Sequence, residues 1–248
     1  MPEGDTILRT ARALERALGG KTVTKFESVF PRLLRVDDET PLRGRTIERV
    51  TASGKHLVIA FSGDLLLRTH MRMNGSWHIY RTGERWRRPH SDMRIVIGTD
   101  DFEAVGFNIP VADFHRGKVA DLGSLGPDIL KDDFDADDAV RRIREHPGEE
   151  IANVLLNQRV VAGIGNIYKS EALFAAKVNP FARAGSLDDA ALTRILKHAR
   201  SMMRRAANGP RVRFAVYERS GQPCRRCGSR IEYRKQGIDA RGTYWCPK

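Results

Sequence analysis

The spacing of apolar residues changes twice along this chain, and no fold built from one kind of element can follow such a pattern. The first stretch repeats at helical spacing through Ile7, Leu8, Ala11, Leu14 and Leu18, with Asp5 as the expected N-cap and Gly19-Gly20 as the stop. Short β-rich runs follow at residues 22–30, 46–51, 57–61, 65–70, 77–80, 93–97 and 102–107. Gly, Pro, Asp and Asn separate most of them, as in a β-sandwich. Residues 81–90, with Arg85, Trp86, Arg87 and Arg88, read as a basic loop. From about residue 117 the period turns helical again. Gly126-Pro127 marks a linker, and helices are predicted over 135–145 (stopped by Pro147), 149–157 and 166–177. Ser186, with Asp189 three residues on, opens a longer helix ending near Asn208-Gly209-Pro210. The expected fold class is α+β and multidomain: an N-terminal helix and β-sandwich, a helical domain, then a small cysteine-bearing hairpin. There is no internal repeat.

No apolar run approaches the roughly 20 residues that cross a bilayer, and the start, MPEGDT, has neither the basic end nor the apolar core of a secretory signal. The expectation is a soluble cytoplasmic protein that makes no membrane contact. Lys and Arg number 43 against 31 acids, a formal charge of +12. Arg225, Arg226, Arg230, Arg234, Lys235, Arg241 and Lys248 crowd the last stretch, opposed only by Glu232 and Asp239. A basic terminus of this density suits a polyanion.

All three cysteines, Cys224, Cys227 and Cys246, fall in that stretch. An odd number with C-x-x-C spacing points to metal rather than disulfides. A knuckle followed by a hairpin and a third thiol fits a structural zinc ribbon, which takes four ligands. The fourth would fall one residue past Lys248, so either the ribbon is completed there or the site holds three ligands and binds zinc weakly or not at all.

Three further groups could carry chemistry. With Met1 removed, Pro2 would present a free secondary amine; with Met1 retained, that nitrogen is an unreactive amide. An α-amine titrates near 7.7–8.0, so a useful fraction is unprotonated at neutral pH. Attack by such an amine on a sugar C1′ gives an iminium, which acidifies the C2′ proton and permits strand cleavage by elimination. Glu3 could move the protons. The same residues also suit a plain turn before a helix. Lys55, in Ser53-Gly54-Lys55-His56, could supply a proton or a phosphate contact, or be a solvated hairpin lysine. In residues 158–168 glycines lie between two helices, and Asn166 is placed to cap the second, whose positive end suits a phosphate.

Together these pieces resemble the formamidopyrimidine-DNA glycosylase and endonuclease VIII family, nearly end to end. MPEGDT is similar to its N-terminus, SGKH to its lysine turn, LGPD at 125–128 to its interdomain segment, and residues 158–168 to its helix–two-turns–helix motif. Val216-Tyr217 through Cys246-Pro247 is similar to its zinc ribbon. The resemblance implies domains at 1–116, 133–213 and 214–248, with a linker at 117–132. It implies a bifunctional DNA glycosylase and abasic-site lyase of base excision repair, monomeric, in the bacterial nucleoid-associated pool. Damaged DNA would be its partner, structural Zn2+ its metal, and no small-molecule cofactor is needed. Pro2 would form the Schiff base, Glu3 would be the general acid, Lys55 would assist β-elimination, and Arg241 would grip phosphates and assist δ-elimination. Gly165 and Asn166 would hold the DNA backbone. In the turn His70-Met71-Arg72-Met73-Asn74-Gly75, Arg72 and Met73 would fill the space left by the extruded nucleotide.

Only six residues separate Gly209 from Val216, and Phe107-Asn108-Ile109-Pro110 stands where the oxidised-purine branch carries Arg-Arg-Phe-Gly. Both features resemble the endonuclease VIII branch and favour oxidised pyrimidines. Ser124 departs from the arginine that branch can carry. The alternatives are an oxidised-purine glycosylase and a non-catalytic damaged-DNA-binding protein of the same fold; His70, His115 and His198 have no motif and are read as structural or solvated.

Overall fold

The computed structural model describes residues 2–209 and 213–248. The described residues form two compact units, one of residues 2 and 6–123, the other of residues 3–5, 124–209 and 213–248.

The first unit opens with most of helix α1, Gly4–Leu18, followed by strand β1, Lys25–Ser28, and helix α2, Pro31–Glu39. Seven strands then run in order: β2 Ile47–Ser53, β3 His56–Phe61, β4 Leu65–His70, β5 Ser76–Arg81, β6 Met93–Gly98, β7 Phe102–Phe107 and β8 Val111–Arg116. They form two four-stranded antiparallel sheets, β1-β6-β7-β5 and β2-β3-β4-β8. Strand β4 shows why the sequence folds this way. Leu65, Leu67 and Thr69 are buried and their alternates are not, which is the period of a half-buried strand. Leu57, Ile59 and Phe61 of one sheet and Ile95, Ile97 and Ala104 of the other share a single core with Ile7, Leu14 and Leu18 of α1.

Two elements depart from the sequence reading. Run 22–30 is a strand only over Lys25–Ser28, and Pro31 then starts a helix. Pro at the first helical position has no hydrogen bond to lose, but α2 buries only Leu33, so its apolar period is too thin to read. Strand β8 was not expected either. Its polar side chains Asp113 and His115 mask the alternation, and its pairing with β4 defines it.

The second unit contains α3 Ala136–Arg144, α4 Ile151–Val154, α5 Asn166–Ala176, α6 Asp189–Asn208, β9 Glu232–Gln236 and β10 Arg241–Trp245. Asp135 caps α3, accepting the Asp138 N–H at 2.9 Å. The cap of α6 is Asp188, which accepts from Ala191 at 2.7 Å, rather than the expected Ser186, whose hydroxyl donates to the Arg183 carbonyl inside a 3-10 turn. Helix α5 is buried on nearly every side, polar residues included, and packs on both α6 and β10. Among the described residues no helix is long and apolar enough to cross a membrane.

Candidate functional site

Glu3 is held at the start of α5. Its side chain is 1 % exposed, and its carboxylate accepts from three backbone N–H groups: Gly165 at 3.0 Å, Ile167 at 2.7 Å and Tyr168 at 3.3 Å. These are donors that the first turn of a helix leaves without intrahelical partners, and a negative group at that end also meets the positive end of the α5 dipole. Gly165 is glycine for a steric reason. A Cβ there would lie 2.3 Å from the Glu3 Cδ. Gly4 donates to the Gly163 carbonyl at 3.0 Å, and Asp5 accepts from the Tyr168 hydroxyl at 3.0 Å.

Two expectations are corrected here. Helix α1 begins at Gly4, so Asp5 lies within its first turn and is not its cap. The N-cap of α5 is Gly165, not Asn166, and the side chain that seals the helix comes from Glu3. The end of α5 read as a phosphate seat is thus taken by the protein's own carboxylate. Pairing of residues more than 160 positions apart leaves no local signal, which is why the sequence did not reveal it.

Asn166 instead faces β10. Its Nδ2 donates to the Gly242 carbonyl at 2.7 Å, and its Oδ1 accepts from Lys169 Nζ at 2.8 Å. Lys169 is 1 % exposed and also donates to Thr243 Oγ1 at 2.8 Å and to the Gly242 carbonyl at 3.4 Å. Burial lowers its pKa to about 8, against the favourable field of Glu3 and with the unfavourable one of Arg241. Arg241 itself begins β10 and is exposed. Farther along α5, Glu171 accepts three backbone N–H groups, from Ala215, Val216 and Tyr217 at 2.7–2.8 Å, and so anchors the segment entering the cysteine module. Neither Lys169 nor Glu171 was singled out in the sequence. Their signal is a charged residue on a helix with no polar face, which is legible only once the whole helix is known to be buried.

In the first unit, Lys55 occupies the second position of the two-residue turn between β2 and β3, after Gly54 at φ 57°. Glycine with positive φ at the first turn position matches the twist of the flanking strands. His56 and His70, on β3 and β4, pack edge to face at 4.8 Å. Burial, above all, lowers both to about 4, with Arg68 next for His56 and His56 next for His70, so each is neutral at pH 7. His70 Nδ1 accepts the Arg72 N–H at 3.0 Å, giving His70, which had no motif to support it, a part in shaping the turn. In that turn Met71 is buried, Arg72 takes φ 46°, and Met73 is 60 % exposed. Ile109 is wholly buried. Pro2 is partly exposed at the head of the chain, and Met1, on whose removal its chemistry depends, lies outside the described residues.

The thiols of Cys224, Cys227 and Cys246 converge, all within 4.8 Å of one another. Thiolates around a tetrahedral zinc at about 2.3 Å lie roughly 3.8 Å apart. The Arg226 N–H points to the Cys224 sulfur at 3.4 Å, as a metal knuckle requires. Hydrogen bonds with Ser229 lower the Cys227 thiol to about 7, while burial pushes Cys246 up to about 11. Three soft donors so placed can hold a metal ion.

The N-terminal domain model of formamidopyrimidine-DNA glycosylase matches residues 1–108, and that protein's H2TH domain model matches residues 125–214. Similar proteins include a probable endonuclease 8 2 of Streptomyces coelicolor, 38 % identical over all of this chain and 93 % of the relative. The DNA-(apurinic or apyrimidinic site) lyase Nei2 of Mycolicibacterium smegmatis is 38 % identical over all of this chain and 98 % of its own length, and an endonuclease 8 of Escherichia coli is 31 % identical over the same shares. Among solved structures, Lactococcus lactis Fpg in complex with DNA containing N7-benzyl-Fapy-dG superposes with a TM-score of 0.85 at 23 % identity, covering 99 % of this chain and 98 % of that one. With both domain models matched and relatives aligned along its whole length, the chain belongs to the formamidopyrimidine-DNA glycosylase family.

Proposed function

We propose that this protein is a bifunctional DNA glycosylase and abasic-site lyase acting on oxidised bases in DNA, pyrimidines above purines. The observation that carries the reading is the Glu3 seat: a buried carboxylate, fixed by three backbone N–H groups, adjoining the residue whose amine would react. In the reaction, the Pro2 nitrogen attacks C1′ of an extruded nucleotide. The C1′–base bond breaks and the base leaves with its electron pair and a proton, while ring opening leaves an iminium between Pro2 and C1′. Glu3 handles the proton at the sugar ring oxygen, and its three fixed donors keep the side chain from swinging away. Lys55 assists removal of the C2′ proton, which expels the 3′ phosphate; a second elimination expels the 5′ phosphate, with Arg241 holding the flanking phosphates. Water then hydrolyses the iminium and frees Pro2.

Met73, exposed on its turn, and Arg72 beside it would occupy the gap left in the base stack. Ile109, being buried, cannot itself serve as a wedge on the β7–β8 connection. This supports the pyrimidine preference, as does the short interval between Gly209 and Val216, although residues 210–212 of it lie outside the described residues. Gly165 and Asn166 serve as the frame for Glu3 and β10. Zinc on Cys224, Cys227 and Cys246, with a fourth ligand, would cross-link the ribbon and take no part in bond breaking.

Borohydride tests the reading directly, because it reduces the iminium to a stable amine. The processed protein should be trapped on duplex containing thymine glycol, and Pro2→Gly should reduce trapping at least tenfold. Undiminished trapping by a form that retains Met1 would refute the assignment of the nucleophile.

A further inference from the structure

The buried ammonium of Lys169 has no place in the chemistry above, yet it donates to Asn166 on its own helix and to Gly242 and Thr243 on β10. An ammonium can only donate. Its donation to Thr243 Oγ1 at 2.8 Å makes that oxygen an acceptor, so the threonine's own hydrogen goes to Gln236 Oε1 at 2.6 Å. The amide oxygen of Gln236 is then spent, and its Nε2 donates to Glu150 Oε2 at 2.7 Å and to the Pro180 carbonyl at 3.1 Å. On the other side, donation to Asn166 Oδ1 fixes which way that amide points, and Nδ2 is left to hold the Gly242 carbonyl. One charge therefore sets the direction of this side-chain relay, from Asn166 in the first turn of α5 to Gln236 on β9. The residues so held flank Arg241: Gly242 and Thr243 follow it on β10, and Gln236 is its cross-strand partner on β9.

We propose that Lys169 is a positioning residue, whose directed hydrogen bonds hold β10 against α5 and so aim Arg241 at a DNA phosphate. A methionine of similar length would fill the space but leave Thr243 and Asn166 free to turn. Arg241, exposed at the strand's start, would then lose its fixed base. This inference rests on the reading of Arg241 as a phosphate grip.

The test measures binding of the zinc-loaded protein to duplex carrying a tetrahydrofuran abasic analogue across a salt series. Arg241→Ala should weaken binding about tenfold and reduce the slope of log K against log salt by about one, the signature of one lost phosphate contact. Lys169→Met should reproduce most of both effects although the lysine is too buried to touch DNA, and the double variant should bind within about twofold of Arg241→Ala alone. Thr243→Val, which removes the lysine's relay and keeps the lysine, provides the same comparison should Lys169→Met fold poorly, and it should couple to Arg241→Ala in the same way. Additive losses, or an unchanged salt slope in Lys169→Met and Thr243→Val, would overturn the inference. If Arg241→Ala itself bound like the parent protein, the assignment of Arg241 would fail, and Lys169 would lose its proposed role with it.

Discussion

Gly165 shows how a single residue can be dictated by chemistry elsewhere in the chain. It lacks a side chain because the Glu3 carboxylate occupies the place where one would stand. Gly165→Ala should therefore displace Glu3 rather than merely crowd it. The expected result is loss of base excision on the order of a hundredfold, in line with removing a general acid, with abasic-site binding retained; single-turnover excision and gel-shift binding measure the two. Glu3→Gln keeps the shape but puts an NH2 group against backbone donors. It should lose similar activity and cost roughly 1–3 kcal/mol of stability, read from urea unfolding. The paired histidines set a pH dependence of their own. His56 and His70 titrate near 4 in the folded protein and near 6.5 when unfolded. Between those values the unfolded chain binds more protons, so their contribution is complete above pH 6.5 and is lost as pH falls toward 4. Urea midpoints at pH 7 and pH 5 should show that decline, and His56→Phe, which cannot be protonated, should flatten it.

At the scale of elements, what could be read from the sequence was whatever repeats locally. Strand β4 alternates cleanly, β7 is an almost continuously buried run, both lie where the sequence pattern places them, and α3 ends where Pro147 forbids it to continue. Helix α2 and strand β8 were missed because their burial is sparse or polar. The capping of α5 was misassigned because its partner is remote in sequence. Candidate residues followed the same division: Lys55 on its hairpin turn and the three converging cysteines were recognisable from short motifs, whereas Lys169 and Glu171 depend on a helix surrounded by protein. The hairpin of β9 and β10 has almost no core of its own, since β9 is exposed at four of its five residues. A metal cross-link should consequently matter there. The protein should bind about one zinc per chain by elemental analysis, and chelation should abolish DNA binding while the sandwich core keeps its unfolding transition. Intact binding after complete metal removal would contradict this.

For the molecule as a whole, the excess of 43 basic over 31 acidic residues governs encounter with a polyanion. With about five phosphates neutralised, log K for damaged duplex should fall with a slope near −4 to −5 against log salt, and a flat response would count against the assigned surface. The division into two units has one more consequence. Residues 3–5 make their contacts with the second unit, while Pro2 before them and Thr6 after them pack in the first. Cutting the gene at the boundary would give an N-terminal product carrying a plug that its own half does not use, and a C-terminal product whose buried α5 opens on three bare amides. Residues 124–248 made alone should therefore leave the Gly165, Ile167 and Tyr168 amides without the acceptor that Glu3 gives them in the intact chain.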